Sequence, residues 1–117
     1  MSRIPAHTVD DAPEASRALL QHAIQFSPTG RPLNLHAQMA HSPAVLVAYS
    51  TIRQATAEHD TVSPKVNSTL MLATATTMGN KYVVEITSQL AGRLGWADDE
   101  VAALRSGNNV NNHTIDV

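Results

Sequence analysis

Proline and glycine punctuate this chain at intervals that suit helices and little else. Ser42-Pro43 and Ser63-Pro64 each place a hydroxyl before a proline. That pair fits a helix start, where the hydroxyl caps free N–H groups and the proline's missing N–H costs nothing. Gly79-Asn80 combines a helix stop with a capping residue, and Gly95 supplies another stop. No segment between these marks alternates apolar and polar with a period of two, so no strand is predicted. The marks divide the chain into helices joined by short turns and set an all-α fold, a compact bundle of about six helices.

The apolar spacing fills in the elements. Asp10-Asp11-Ala12-Pro13-Glu14 reads as a helix start, with Leu19, Leu20, Ala23 and Ile24 as its stripe and an end near Gln25. Ser27-Pro28-Thr29-Gly30-Arg31-Pro32 is a turn cluster, and a short helix is expected from about Leu33 to Ala40. The helix from Pro43 carries Val45, Leu46, Tyr49, Ile52, the stem of Arg53 and Thr56, and Glu58 to Val62 is a polar connection. The next, Lys65 to Met78, is small and apolar nearly all round, which predicts burial against several neighbours. Tyr82, Val83, Ile86, Leu90 and Leu94 form the stripe of the helix that Asn80 caps, with Lys81 and Glu85 spaced to pair. A last helix runs from Ala97-Asp98-Asp99-Glu100 to Arg105. Residues 1–105 read as one helical domain, and the Asn-rich 106–117 as a polar, flexible tail.

Composition removes several kinds of chemistry. The 117 residues include no cysteine, which excludes disulfides, thiolate metal sites and cysteine nucleophiles. Net charge is -2, without the basic patch that nucleic acid needs. No apolar run has the length of a signal peptide or a membrane span, so a soluble cytoplasmic protein without membrane association is expected. Aromatic residues number four, Phe26, Tyr49, Tyr82 and Trp96, so the core rests on Ala, Leu, Val, Ile and Met. Trp96, after the Gly95 stop, is expected to anchor the last helix or a subunit contact. The histidines, His7, His22, His36, His41, His59 and His113, show no metal-ligand spacing, and neither a metal nor another cofactor is expected.

Three stretches then carry a family likeness. They are Pro32-Leu33-Asn34-Leu35-His36-Ala37-Gln38-Met39-Ala40-His41-Ser42-Pro43, Pro64-Lys65-Val66-Asn67-Ser68 through Met78-Gly79-Asn80, and Tyr82 through Gly95 with Asp98 to Arg105. In order and spacing they resemble the carboxymuconolactone decarboxylase-like superfamily, which includes the alkylhydroperoxidase D-like proteins. The resemblance spans about residues 3 to 105 and implies an alkylhydroperoxidase D-like helical fold that forms a homo-oligomer. Redox members of that family carry a Cys-x-x-Cys, a histidine four residues later and a glutamate upstream. Here those positions hold Asn80 and Val83, Thr87 and Ser68. Without a thiolate and a resolving thiol, thiol peroxidase chemistry is not expected.

Two functions remain on this reading. One is a non-redox decarboxylase or isomerase acting on a small organic acid, with Tyr82, Glu85 and His36 as the proton-transfer groups. Ser68, Asn80, Lys81, Val83 and Thr87 would then bind the substrate. The other is a catalytically inactive binding or assembly scaffold that keeps the fold. In that case Asn80 is a plain cap, Lys81 and Glu85 a solvated pair, and Ser68 and Thr87 hydroxyls bonded to their own helices.

Overall fold

The computed structural model describes residues 2–108. Its six α-helices are α1 (Glu14–Ala23), α2 (Asn34–Met39), α3 (Pro43–His59), α4 (Pro64–Thr77), α5 (Lys81–Arg93) and α6 (Asp98–Arg105), with a 3-10 turn at Ile24–Phe26. There is no strand among the described residues. The helices fall into two compact units, residues 1–59 and 60–117.

In the first unit, Ser16, Leu20 and Ala23 recur at helical spacing and form the buried face of α1. Ala12, Leu20, Ala40 and Leu46 make the core, with Val9, Leu19 and Met39 packed against it. A serine fits in this apolar setting because its hydroxyl donates to the Ala40 carbonyl at 2.8 Å, satisfying both groups. The small Ser16 side chain also lets α1 approach the junction between α2 and α3. Burying Leu20 and Leu46 completely stabilises this unit by roughly 2 kcal/mol each.

The expected helix start at Asp10-Asp11 takes another form. α1 begins at Glu14, with Pro13 before it and no side-chain cap. The capping chemistry lies one turn earlier. The Thr8 N–H donates to Asp11 Oδ1 at 2.7 Å, and the Asp11 N–H donates to Thr8 Oγ1 at 3.4 Å. This is the reciprocal arrangement of a capping box, closed around a turn rather than a helix.

The stripe expected on α3 also differs. Leu46 is buried and Tyr49 half-buried, but Val45 and Ile52 are 50% and 66% exposed. Arg53 and Thr56 are exposed as well. Helix length supplies the reason. α1 and α2 have 10 and 6 residues, whereas α3 has 17 and runs for roughly 25 Å. Its partners in the unit cover only its first turns.

The second unit packs α4, α5 and α6 against one another around Leu72, Ala91, Trp96 and Leu104, with Val84 and Val101 at the margin. Ser63 caps α4 by accepting from the Val66 N–H at 3.2 Å, ahead of Pro64. α4 and α5 each close on a glycine of positive φ, at 66° for Gly79 and 93° for Gly95. At both, the following N–H reaches back five residues, Asn80 to the Ala75 carbonyl at 2.9 Å and Trp96 to the Ala91 carbonyl at 3.1 Å. These are Schellman closures, in which a left-handed residue lets the last carbonyls find donors.

Trp96 is thereby carried into the core, its ring capped by Lys65 Nζ at 4.0 Å from the centroid. It anchors the start of α6, as expected. Ser106–Asn108, assigned to the tail on sequence, instead closes α6, the Asn108 N–H donating to the Ala103 carbonyl at 2.9 Å. The remainder of that tail lies outside the described residues. α4 is less enclosed than its composition suggests. Ser68, Thr69, Leu72 and Ala75 are buried, while Leu70, Ala73, Thr74 and Thr77 are exposed.

Candidate functional site

Two of the residues singled out on sequence, Asn80 and Val83, lie at the joint between α4 and α5. Asn80 is the N-cap of α5, its side-chain oxygen accepting from the Val83 N–H at 3.2 Å. An apolar groove of about 400 Å³ opens beside it, lined by Leu70, Met71, Thr74, Ala75, Met78, Asn80 and Val83. Two sequence-derived positions, Asn80 and Val83, therefore do face a common space. Its walls carry one amide and one hydroxyl, and both are engaged. Asn80 caps α5, and Thr74 donates to the Leu70 carbonyl at 2.7 Å.

The other expected members are placed elsewhere. Ser68 and Thr87 are buried in the α4–α5 packing. Ser68 donates to the Lys65 carbonyl at 2.8 Å and Thr87 to the Val83 carbonyl at 2.7 Å. Thr69 and Ser88 do the same, to Lys65 at 3.0 Å and Val84 at 2.6 Å. A hydroxyl bonded to its own helix has met its need without a ligand.

Lys81 and Tyr82 are exposed on the first turn of α5. Glu85 faces a second groove with Gln89, Asp98 and Arg105. It accepts from Gln89 Nε2 at 3.2 Å and stands 3.8 Å from the Arg105 guanidinium. The ion pair made by Glu85 is thus with α6, rather than with Lys81 one turn back.

His36 belongs to the first unit. Its ring lies against Tyr49, centroids 5.6 Å apart, and its buried Nδ1 has no hydrogen-bond partner. Burial, reinforced by the Arg53 guanidinium, pushes the imidazole below its ordinary pKa and favours the neutral ring.

One constellation escaped the sequence reading. His7 Nδ1 lies 3.3 Å from Asp11 Oδ1, and His7 Nε2 lies 3.1 Å from His41 Nδ1. The two rings are nearly coplanar, at 6°, with centroids 5.3 Å apart. That separation matches the N···N distance plus the two ring radii, so the rings meet edge to edge rather than face to face. The two facing nitrogens point at each other instead of converging on a third point, as metal ligation requires. Among the described residues, no group of three or more His, Cys, Asp or Glu side chains is placed to hold a metal. The local half of this network was available in sequence, as His7 four residues before Asp11. The half that reaches His41 was not.

No described helix is long and apolar enough to cross a membrane. Comparison with protein-family models, curated proteins and solved structures gives no match to this chain.

Proposed function

We propose that this chain is a non-catalytic helical scaffold of the carboxymuconolactone decarboxylase-like kind, working by self-association. One observation carries this reading. The polar side chains at the four positions where the redox members keep their reacting groups are all satisfied locally. Asn80 caps α5, while Ser68 and Thr87 bond their own helices, and Val83 is apolar. What opens beside Asn80 and Val83 is an apolar groove rather than a cavity with a base. Proton transfer next to a carbonyl requires both a base and an oxyanion stabiliser in one space. Glu85, the one carboxylate of the expected set, faces a different groove and is held by Arg105 and Gln89.

The same groove supports association with a second copy. Leu70 and Met78, which line it, are 52% and 76% exposed, a large apolar surface for so short a stretch. Light scattering over a range of concentrations tests the reading. The expected result is a defined oligomer whose mass falls in Met78→Asp, with helical circular dichroism retained. The same preparation is expected to turn over neither carboxylated lactones nor peroxides. Turnover of a carboxylated lactone that Glu85→Gln and Tyr82→Phe abolish would replace this reading with the proton-transfer enzyme. A monomer at all concentrations would remove the assembly role.

A further inference from the structure

The geometry points to an acid-opened clasp in which the His7–His41 hydrogen bond holds the N-terminal segment, residues 2–11, onto the junction of α2 and α3 and releases it when both imidazoles are charged. Three contacts fasten this segment. The His7 N–H donates to the Ala37 carbonyl at 3.0 Å, His7 Nε2 meets His41 Nδ1 at 3.1 Å, and Gln38 Nε2 donates to Ser2 Oγ at 3.0 Å. Val9 packs on the core formed by Ala12, Leu20, Ala40 and Leu46. Only one of these contacts includes a pair of groups that change charge between neutral and mildly acidic pH.

The proton positions follow from Asp11. A carboxylate only accepts, so His7 Nδ1 carries the proton and donates to it. Neutral His7 then offers a bare Nε2, and His41 Nδ1–H donates to it. One added proton leaves the bond in place, because a charged His7 donates from Nε2 to a bare His41 Nδ1. A second proton does not. Both facing nitrogens then carry hydrogen, both rings are positive, and the contact turns from attractive to repulsive.

The surroundings of the pair add no other switch. Asp11 is the carboxylate that meets it. Partial desolvation pushes the Asp11 carboxyl up, but bonds from the Thr8 N–H and hydroxyl and the neighbouring His7 outweigh it. The carboxyl is thereby held below its ordinary range. It therefore keeps its charge in mildly acidic solution. Within the N-terminal segment the remaining charged residues are Arg3 and Asp10. On α1, Arg17 donates through Nε to the Ala12 carbonyl at 3.0 Å, and the others are Glu14 and His22. On α2 the titratable group is His36, which lies against Tyr49. α3 brings no charged side chain before Arg53, nearly three turns from its start.

Amide hydrogen exchange on the full chain tests the clasp, with rates corrected for the intrinsic effect of pH. Protection of the His7 amide is expected to fall about tenfold or more between about pH 7.5 and about pH 5, while the Trp96 amide changes little. In His41→Gln, whose side chain bonds His7 without titrating, the fall is expected to be under about twofold. No loss of protection in the native chain overturns the proposal, and so does an equal loss in His41→Gln. Histidine ring nitrogen NMR keeps the test independent of that variant. Coincident charging of both rings and loss of His7 protection supports the clasp, whereas full charging of both with protection retained overturns it.

Discussion

At the residue scale, the decisive distinction lies between hydroxyls that join elements and hydroxyls that serve their own helix. Ser16 reaches across to the Ala40 carbonyl, whereas Thr87 turns back to Val83. Ser16→Ala leaves a buried carbonyl without its donor and is expected to cost about 1–3 kcal/mol in urea denaturation. Thr87→Val removes a hydroxyl whose partner carbonyl already lies within a helix, and is expected to cost less than about 1 kcal/mol. A large loss for Thr87→Val would mean that its hydroxyl does more than satisfy its own helix. His36 gives a second expectation at this scale. Its folded pKa lies below the ordinary 6.5, so the unfolded chain takes up the proton first on acidification. The stability that the neutral ring confers is present above that value and is lost as pH falls through the window beneath it. Unfolding midpoints are therefore expected to drop between about pH 7.5 and about pH 5, and to drop less in His36→Leu. An equal drop in that variant would assign the effect to other groups.

At the scale of the elements, the joints were more legible than the faces. Gly79→Ala places a Cβ at φ 66° with no neighbouring atom in the way, so its cost is backbone strain alone. About 1 kcal/mol is expected, read from a denaturation midpoint, and a neutral result would show that this closure tolerates a side chain. Ser63, Asn80 and Gly95 act where the sequence put them because caps and stops depend on a few consecutive residues. The face of α3 was misread because burial depends on what lies opposite. Ile52 fits the stripe but extends past partners too short to cover it. The candidate site divided in the same way. Asn80 and Val83 do share a groove, as their helical positions suggest. Glu85 sits one turn further along α5, where the approach of α6 turns it to Arg105, and no local spacing reveals that approach. The meeting of His7 with His41 lies further still from local reading, since the residues are 34 apart in the chain.

At the scale of the whole molecule, the described residues form two hydrophobic clusters with no residue in common, one around Leu20 and Leu46 and one around Leu72 and Trp96. Truncating a fully buried leucine in either is expected to cost about 2–5 kcal/mol. Leu46→Ala and Leu72→Ala therefore act on separate packing. The double variant is expected to lose the sum of the single losses to within about 0.5 kcal/mol. Equilibrium denaturation of the four chains measures this directly, and a clear excess or deficit would reveal energetic coupling between the clusters. The number of helices was open to sequence reading because each begins or ends on a local mark. Their division into two units was not, because it depends on contacts between helices rather than on any boundary residue.

The joint at Gly79-Asn80 has a consequence for how such a chain tolerates change in length. Asn80 donates its N–H to the closure of α4 and uses its side chain to open α5, so a single residue serves both helices. There is no slack between them to absorb an insertion. One extra residue after Asn80 would turn the rest of α5 by about 100° about its axis. That rotation would carry Ser88 and Ala91 out of the packing and bring polar neighbours in. Length variation in sequences built on this plan should therefore gather at the 27–33 turn and the 60–62 connection, and spare the joint between α4 and α5.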